Sequence, residues 1–458
     1  MFNKKFKTKT LNFRKFKLNR SFFNNTNKAR LALCSFGLIA LGTIGMTVGI
    51  NLVNAASFTI TSISPNVGPI AGGQTVTITG TNLQQTLSLE WKQISAGSDH
   101  TCAVTTDGKA FCWGDNYYGQ LGNGTKNSSN IPVEVIFSDL GSNIVKQVSA
   151  GNYYTCAIVG DAGDNYHGNA YCWGANSSGQ LGIGNTSDRI LPIMVENENF
   201  IQISAGFNHT CAVTDYQEVF CWGDNNYGQI DPNDYSTGNY LEPYNNWLIY
   251  GITQVSVGYG HTCIINYNWN NNVYCWGDNN QGQLGNDPMF VGSDHVFVNP
   301  SFPVYPTSID QISAGYNHTC AVASSGQAYC WGANDMNQIG DGNFQWTVPY
   351  PSFVSTLGSS VTQISAGDYH TCAVTNTGDI YCWGLNSNGQ SGSGSYQIML
   401  PELVSSGSFA QVSAGGNHSC AIDSNNAYCW GANWSGQLGN NSNYDSDYPV
   451  TVVILYYL

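Results

Sequence analysis

The stretch HTCAVTTDGKAFCWG, residues 100–114, places two cysteines ten positions apart around the turn-forming residues Thr-Asp-Gly. The arrangement recurs until fourteen of the fifteen cysteines have been used. Each copy follows Ser-Ala-Gly or Ser-Val-Gly and precedes NxxGQ or a close variant. In register, the seven triplets begin at residues 95, 149, 204, 256, 313, 365 and 413. Repeats of about fifty residues predict a propeller or a solenoid.

The segments within a unit are typical of strands and turns, because short runs of Val, Ile, Thr, Tyr and Trp alternate with Gly, Asn, Asp and Ser. The first unit predicts strands at 92–97, 100–105, 110–114 and 131–136, and the last at 410–415, 418–423, 427–431 and 448–453. Four strands in each of seven units, without helical periodicity, favour an all-β seven-bladed β-propeller. Closure hides the sheet edges that an open solenoid must cap.

The pattern QISAGxxHTCAV…YCWGxNxxGQLG resembles the repeat of the regulator of chromosome condensation family and covers residues 91–455. The resemblance implies a seven-bladed propeller and, by analogy, guanine-nucleotide exchange on a GTPase. Residues 58–83 resemble the opening of an IPT/TIG domain. They supply two strands where an immunoglobulin-like sandwich has about seven. We therefore expect a stalk or an accessory hairpin there.

The cysteines of each unit fall opposite one another if the two central strands form a hairpin, and opposed residues lie close to disulfide distance. We predict seven disulfides, with reduced core cysteines as the alternative. Metal binding is disfavoured because no unit contains CxxC. Cys34 is left without a partner. The predicted bonds join Cys102 with Cys112, Cys156 with Cys172, Cys211 with Cys221, Cys263 with Cys275, Cys320 with Cys330, Cys372 with Cys382 and Cys420 with Cys429.

The N-terminus predicts export. Residues 1–30 hold ten of the fifteen Lys and Arg, and residues 31–53 carry no charge. With small residues ending at Ala55, this pattern indicates a signal peptide, but the stretch also reaches the roughly 20 residues needed to span a bilayer. We predict a basic cytoplasmic tail (1–30), a cleaved signal or retained membrane anchor (31–56), a partial IPT/TIG-like segment with linker (58–90) and an extracellular or surface-anchored propeller (91–458). A buried core helix is the disfavoured alternative.

The charge balance excludes one class of partner. Beyond residue 30 the chain carries five positive and twenty-nine negative charges, a net of −24. Such a body repels phosphate, so we expect no nucleic-acid binding. Export and this charge also disfavour nucleotide exchange on a nuclear GTPase.

Two residue types recur too regularly to define a single site. Trp follows the second cysteine of every unit, alternates with it along the strand and is expected to pack between blades. His begins the second strand in six units, and a ring of histidines raises a metal hypothesis. Tyr154 replaces His in the second unit, which favours a hydrogen-bonding role instead. The six histidines are His100, His209, His261, His318, His370 and His418.

The two residues between Gly and His differ in every unit, and in a ring of blades they fall on one face. Aromatic, Asn and Asp residues at such turns suit protein recognition, although ordinary turn preferences also supply them. The predicted binding residues are Asp99, Tyr153, Phe207, Tyr259, Tyr316, Asp368 and Tyr369.

Inserts at 161–169, 230–251 and 287–300 are further candidate binding loops, and their acidic residues raise a weaker calcium hypothesis. The chain lacks a catalytic or phosphate-binding motif outside the repeat, so we predict a non-enzyme without a cofactor. The leading function is recognition of an extracellular protein or glycan. The alternative is a structural surface component without a discrete ligand.

Overall fold

The computed structural model describes residues 8–11, 59–64, 76–81, 84–86 and 89–457, apart from 139, 165–166, 196–197, 232–237, 270–271, 289–293, 304–307 and 425. The chain divides into two compact units. The predicted N-terminal helix and Cys34 lie outside the described residues. Within the described part, no helix has the length and apolar character needed to cross a bilayer.

The first unit combines residues 1–87 with the C-terminal residues 455–458. It contains an antiparallel sheet in the order β1 (Thr8–Leu11), β3 (Val76–Thr81) and β2 (Thr59–Ser64), and a two-stranded sheet of β4 (Gln84–Thr86) and β33 (Leu455–Tyr457). The pairing of β2 with β3 agrees with the hairpin expected at 58–83, whereas the IPT/TIG identity of this segment stays a prediction.

The second unit, residues 88–454, consists of seven four-stranded antiparallel sheets, each built from four consecutive strands. Blades 1 to 4 are β5 (Trp91–Ala96), β6 (His100–Thr105), β7 (Ala110–Gly114), β8 (Ser129–Glu134); β9 (Asn143–Ala150), β10 (Tyr154–Asp161), β11 (Asn169–Gly174), β12 (Arg189–Met194); β13 (Phe200–Ala205), β14 (His209–Thr214), β15 (Glu218–Gly223), β16 (Tyr240–Tyr250); and β17 (Ile252–Val257), β18 (His261–Asn266), β19 (Asn272–Gly277), β20 (Asp294–Val298). Blades 5 to 7 are β21 (Ile309–Ala314), β22 (His318–Ala323), β23 (Ala328–Ala333), β24 (Thr347–Phe353); β25 (Val361–Ala366), β26 (His370–Thr375), β27 (Ile380–Leu385), β28 (Gln397–Ser405); and β29 (Gln411–Ala414), β30 (His418–Ile422), β31 (Ala427–Gly431), β32 (Ser446–Thr451).

The seven blades close into a ring, which confirms the predicted propeller. The first strand of each blade contacts the first strands of its two neighbours, and β29 contacts β5. A single 3₁₀ turn, Tyr267–Trp269, is the helical element of the described residues. The predicted strands of the first and last units match the observed strands to within about two residues, which is the normal uncertainty of strand ends.

Side chains of the inner strands join each blade to the next. Gln93 donates its Nε2–H to the Val148 carbonyl (2.8 Å) and accepts from the Val148 N–H through Oε1 (2.8 Å). Ser95 Oγ accepts from the Ala150 N–H (3.0 Å). The Gln and Ser side chains of each Gln-x-Ser sequence thus form hydrogen bonds with backbone groups of the inner strand of the next blade. The same bonds join Gln411 and Ser413 of blade 7 to blade 1, where the ring closes.

The glycine of each triplet marks the closest approach between blades. An added Cβ at Gly151 would lie 2.5 Å from the carbonyl oxygen of Gly206, the equivalent glycine of the next blade. The same contact with the next blade recurs around the ring, so each glycine leaves room for the backbone beside it. The seven glycines are Gly97, Gly151, Gly206, Gly258, Gly315, Gly367 and Gly415.

The repeated histidines belong to a buried hydrogen-bond network. The His100 ring contacts the Thr155 hydroxyl of the next blade (Nε2 to Oγ1, 2.8 Å). Thr155 uses its single hydroxyl hydrogen to donate to the Gln120 carbonyl (2.9 Å), so His100 Nε2–H is the donor in that pair. Burial lowers the pKa of His100 to about 3, so the ring stays neutral. This outcome supports the hydrogen-bonding interpretation.

The second unit fits the same network with tyrosine. The Tyr154 hydroxyl donates to the His209 carbonyl (2.6 Å) and accepts from Thr210 (2.9 Å). Among the described residues, no three His, Cys, Asp or Glu side chains are grouped so as to hold a metal ion. The six histidines are instead separated around the ring, each contacting Thr or Ser of the following blade.

The repeated tryptophans pack between blades, as predicted. All seven are fully buried. Trp173 donates its indole N–H to the Gln120 carbonyl of the preceding blade (2.8 Å), the same oxygen that accepts from Thr155. Each hydrophobic cluster combines cysteines of one blade with the tryptophan of the next, as with Cys320, Cys330 and Trp383. The core therefore consists of seven hydrophobic clusters, one at each junction between neighbouring blades.

All seven predicted disulfides are present. The cysteines of each pair are directly opposite in the hairpin register, with Cα atoms 4.0–4.1 Å apart. The hairpin loop sets only the spacing in sequence, which ranges from 9 to 16 residues. Disulfides of this number are typical of proteins in oxidising compartments. The bonds join Cys102 to Cys112, Cys156 to Cys172, Cys211 to Cys221, Cys263 to Cys275, Cys320 to Cys330, Cys372 to Cys382 and Cys420 to Cys429.

Replacing one pair tests how much each disulfide contributes. We expect the double variant Cys320→Ala/Cys330→Ala to lose roughly 2–3 kcal/mol of unfolding free energy, because the bond restricts a short loop in the unfolded chain. The measurement is urea denaturation followed by circular dichroism. Wild-type protein under reducing conditions, with all seven bonds open, should lose far more. Equal stability of the double variant and wild type would contradict a stabilising role for this bond.

Candidate functional site at the loop face

The variable residue pairs lie at one end of the blades, in the turns between first and second strands. Their backbone forms a ring of hydrogen bonds from blade to blade. The Asn152 N–H, for example, donates to the Gly206 carbonyl (3.1 Å), and the Asp368 N–H donates to the Gly415 carbonyl (3.1 Å). We call this end of the propeller, formed by these turns and the NxxGQ turns beside them, the loop face.

A narrow cavity of about 100 Å³ opens at the centre of the loop face. Its lining comes from the Ala-Gly-x segments of six blades and the Val-Gly-Tyr segment of blade 4, and it includes Phe207, Tyr259, Tyr316 and Asp368. Small-molecule sites are usually several times larger, roughly 300–1,000 Å³. The loop face therefore offers a wide surface with a narrow central opening.

Four of the predicted binding residues form one aromatic cluster. The ring centroids of Phe207 and Tyr259 are 4.8 Å apart, those of Tyr259 and Tyr316 are 4.3 Å apart, and Tyr316 stacks on Tyr369 at 5.6 Å. Blades 3 to 6 thus contribute adjacent rings. Tyr153 is not among these ring contacts; it packs against Tyr118 at 5.4 Å. We call Phe207, Tyr259, Tyr316 and Tyr369 the aromatic cluster.

Asp99 and Asp368 form an electrostatically coupled carboxylate pair. Burial and then the charge of Asp99 raise the pKa of Asp368 to about 7. Burial and the charge of Asp115 also raise the pKa of Asp99. Asp99 accepts a long hydrogen bond from Gln437 (3.4 Å). Carboxylates so perturbed are common at functional sites.

Four aromatic residues of the loop face were missed by sequence reasoning. They occupy the variable positions of the NxxGQ turns and are Tyr117, Tyr118, Tyr227 and Trp434. Tyr227 lies 6.4 Å from Tyr259, and its ring packs where a side chain at Gly260 would otherwise stand. Comparing the seven units at these positions, as at the positions between Gly and His, would have revealed them.

The first insert lies in the hairpin loop between β10 and β11, whereas the second and third inserts follow the NxxGQ turns of blades 3 and 4. Asp164, in the first insert, contacts His167 Nδ1 (2.9 Å) and Lys146 Nζ (4.0 Å). Asp161 accepts from the Gly163 N–H (2.7 Å). In the second insert, the Tyr244 hydroxyl donates to Asp231 (2.8 Å). These bonds order the loops themselves, and calcium binding by the inserts stays a prediction.

The fold and loop face define a class of protein: a closed propeller of seven equivalent blades that presents variable side chains at one end. Comparison of the sequence with known proteins identifies the family. The profile of the RCC1-like domain matches residues 71–405, and that of the regulator of chromosome condensation (RCC1) repeat matches residues 409–437. The chain belongs to the RCC1-like domain family, and the predicted resemblance is confirmed.

Individual relatives support this assignment. The chain is 30% identical over 321 residues to the Ultraviolet-B receptor UVR8 of Arabidopsis thaliana, covering 68% of this chain and 69% of the receptor. It is 29% identical over 329 residues to the E3 ubiquitin-protein ligase HERC2 of Homo sapiens, but these residues cover only 6% of that protein. Yeast RCC1 (Prp20), solved bound to Kap60, has a TM-score of 0.62 at 21% identity and covers 71% of this chain and 78% of its own. That structural likeness establishes the fold.

Proposed function

We propose that this protein is an exported or surface-anchored recognition module that binds another protein through its loop face. The aromatic cluster is the observation that carries the proposal. It occupies the positions that vary between units, whereas the residues holding the blades together repeat. Large, rigid aromatic side chains dominate the binding energy of many protein interfaces.

Two further observations support the setting. Seven disulfides favour an oxidising compartment, in agreement with the predicted export signal. The described residues use their repeated polar side chains in junctions between blades, so catalytic chemistry has no support from that network. We therefore propose a binding function without catalysis. Family membership alone does not assign nucleotide exchange, because one fold hosts many functions.

The proposal predicts a binding defect confined to the loop face. The oxidised full chain would be used to isolate a partner from cell-surface extracts by crosslinking, and the purified partner would then be titrated calorimetrically. We expect Phe207→Ala/Tyr259→Ala/Tyr316→Ala to weaken binding by at least about 30-fold, since a single interface hot spot contributes about 2 kcal/mol.

The matched control is Tyr216→Ala/Tyr250→Ala/Tyr267→Ala. These tyrosines are exposed by 78%, 66% and 54% and lie toward the opposite ends of their blades. Both triple variants must retain the wild-type circular dichroism spectrum. If they bind the partner equally well, the loop-face proposal is wrong. If no surface protein binds the wild type, the structural-component alternative replaces it.

A further inference from the structure

We infer that the loop face binds a basic side chain, a lysine or arginine of the partner protein, with its cationic head between the aromatic cluster and the carboxylate pair. This inference rests on the proposed function and specifies the chemistry of the partner. It follows from the environment of Asp368, the adjoining rings, the scarcity of basic residues in the propeller and the shape of the central opening.

The carboxyl group of Asp368 has no partner of opposite charge within the described part of the chain. It makes neither a hydrogen bond nor an ion pair there, and Asp99 is its charged neighbour. The side chain is only partly exposed. A carboxylate in such surroundings is poorly solvated, so an incoming cation would gain a charge-assisted hydrogen bond.

The aromatic cluster adjoins this carboxylate. The charge of Asp368 acts on both Tyr316 and Tyr369, and burial is the main reason why the pKa of each phenol is raised. These phenols therefore stay neutral. Faces of neutral aromatic rings attract ammonium and guanidinium groups, with about 0.5–2 kcal/mol per contact. The aromatic rings and the neighbouring carboxylates thus both favour a cationic group of the ligand.

The basic residues of the propeller do not neutralise the carboxylate pair. Beyond residue 30 the chain has only five of them, and both ion pairs seen between described residues involve Asp164. We therefore expect the cation to come from outside the propeller. The net charge of −24 beyond residue 30, from five positive and twenty-nine negative residues, attracts a basic partner at long range. The five basic residues are Lys92, Lys109, Lys126, Lys146 and Arg189.

The central opening matches one extended side chain better than a folded loop. Its volume is about 100 Å³, and its lining combines small residues of all seven blades with Phe207, Tyr259, Tyr316 and Asp368. A lysine or arginine can lay its aliphatic stem along apolar rings while its charged head reaches polar groups. A basic side chain at the tip of a partner's loop fits both the size and the chemistry of this opening.

A random peptide library tests the inference before any natural partner has been isolated. The oxidised full chain would select binding peptides at pH 8. We expect one position of the selected peptides to be enriched in Lys or Arg. Changing that residue to norleucine, or Arg to citrulline, should lower affinity at least tenfold. Asp368→Asn should lower it by a similar factor, whereas Asp310→Asn removes an equal charge from an exposed position of β21 and should not.

The pH dependence provides a second readout. Affinity for a chosen Lys or Arg peptide should rise from pH 6 to pH 8 as Asp368 ionises, and Asp368→Asn should flatten this rise. The titratable groups that face Asp368 are Asp99 of blade 1, Tyr153 of blade 2, Tyr316 of blade 5 and its neighbour Tyr369. The three phenols stay protonated in this range, because their pKa values are raised.

Protein stability should respond in the opposite direction. The folded-state pKa of Asp368 lies above its ordinary value, so its unfavourable contribution is absent below pH 3.8, grows between pH 3.8 and about 7, and is constant above that range. Asp368→Asn should therefore raise the unfolding midpoint at pH 8 and leave it nearly unchanged at pH 4. A variant that is more stable yet binds less tightly is typical of a binding residue.

The outcomes separate this inference from the proposed function. Two results would overturn the inference that a basic side chain is bound: peptides that depend on Tyr316 without enrichment in Lys or Arg, or peptides that bind Asp368→Asn as tightly as wild type. Both results would still be consistent with recognition through the loop face. If no peptide depends on the loop face, the proposed function fails and the inference fails with it.

Discussion

Gly367→Ala is expected to destabilise the propeller by about 3 kcal/mol or more, at the upper end of the cost of overpacking. The added Cβ would lie 2.5 Å from the Gly415 carbonyl oxygen and 2.8 Å from Cε1 of His370. Neither group can move without a large energetic cost, because the Gly415 carbonyl belongs to the backbone of the next blade and the His370 ring is buried in the hydrogen-bond network. A shift at one junction would pass to its neighbours, since the ring is closed. Urea denaturation followed by circular dichroism measures the loss.

Gly394→Ala is the matched control. An added Cβ there meets no atom within 4 Å, and the residue is exposed. Its stability should stay within about 0.5 kcal/mol of wild type, as is usual for surface substitutions. If the two alanine variants proved equally stable, the glycine contact would not be a requirement of the ring.

Trp331→Ala is expected to cost about 3–5 kcal/mol, as is typical when a buried aromatic ring is removed. Trp331 is fully buried between blades 4 and 5, where it packs against Phe302 at 5.9 Å and donates its indole N–H to the Gln283 carbonyl (2.9 Å). Trp331→Phe should lose less, because it keeps much of the apolar volume, although it also removes the indole donor. Because both variants lack the donor, the difference between them measures the contribution of packing.

Trp346→Ala provides the comparison, since Trp346 is 82% exposed and lies on the same blade. We expect its stability to match wild type within about 0.5 kcal/mol in the same denaturation assay. A comparable loss in Trp331→Ala and Trp346→Ala would show that burial between blades does not determine the effect.

The architecture was predictable because period, strand pattern and cysteine spacing constrain one another. Opposed cysteines define the register of the central hairpin, and the seven copies define the number of blades. The junctions were harder to predict. Gln93 and Ser95 are ordinary polar residues in a strand, and only the closed ring places them against Val148 and Ala150 of the next blade.

The sequence predicted which residues lie on the loop face but not which of them contact one another. Comparison between units selected Phe207, Tyr259, Tyr316 and Tyr369, and the structure brings them together. The same comparison also selected Tyr153, which packs against Tyr118 instead. The coupling of Asp368 to Asp99 links blades 6 and 1, which are not consecutive in the ring, and no local sequence pattern encodes such a relationship.

The closure of blade 7 against blade 1 gives every repeat two neighbours. In open repeat arrays the terminal units have one neighbour, unravel first and require special caps. Here Gln411 and Ser413 bond to blade 1 in the same way as their equivalents bond elsewhere, so the ring has no terminal blade at which unravelling could begin. Substitutions in the exposed turns of any single blade therefore do not weaken a terminal unit. For this reason the turns of all seven blades can vary during evolution and provide new binding specificities.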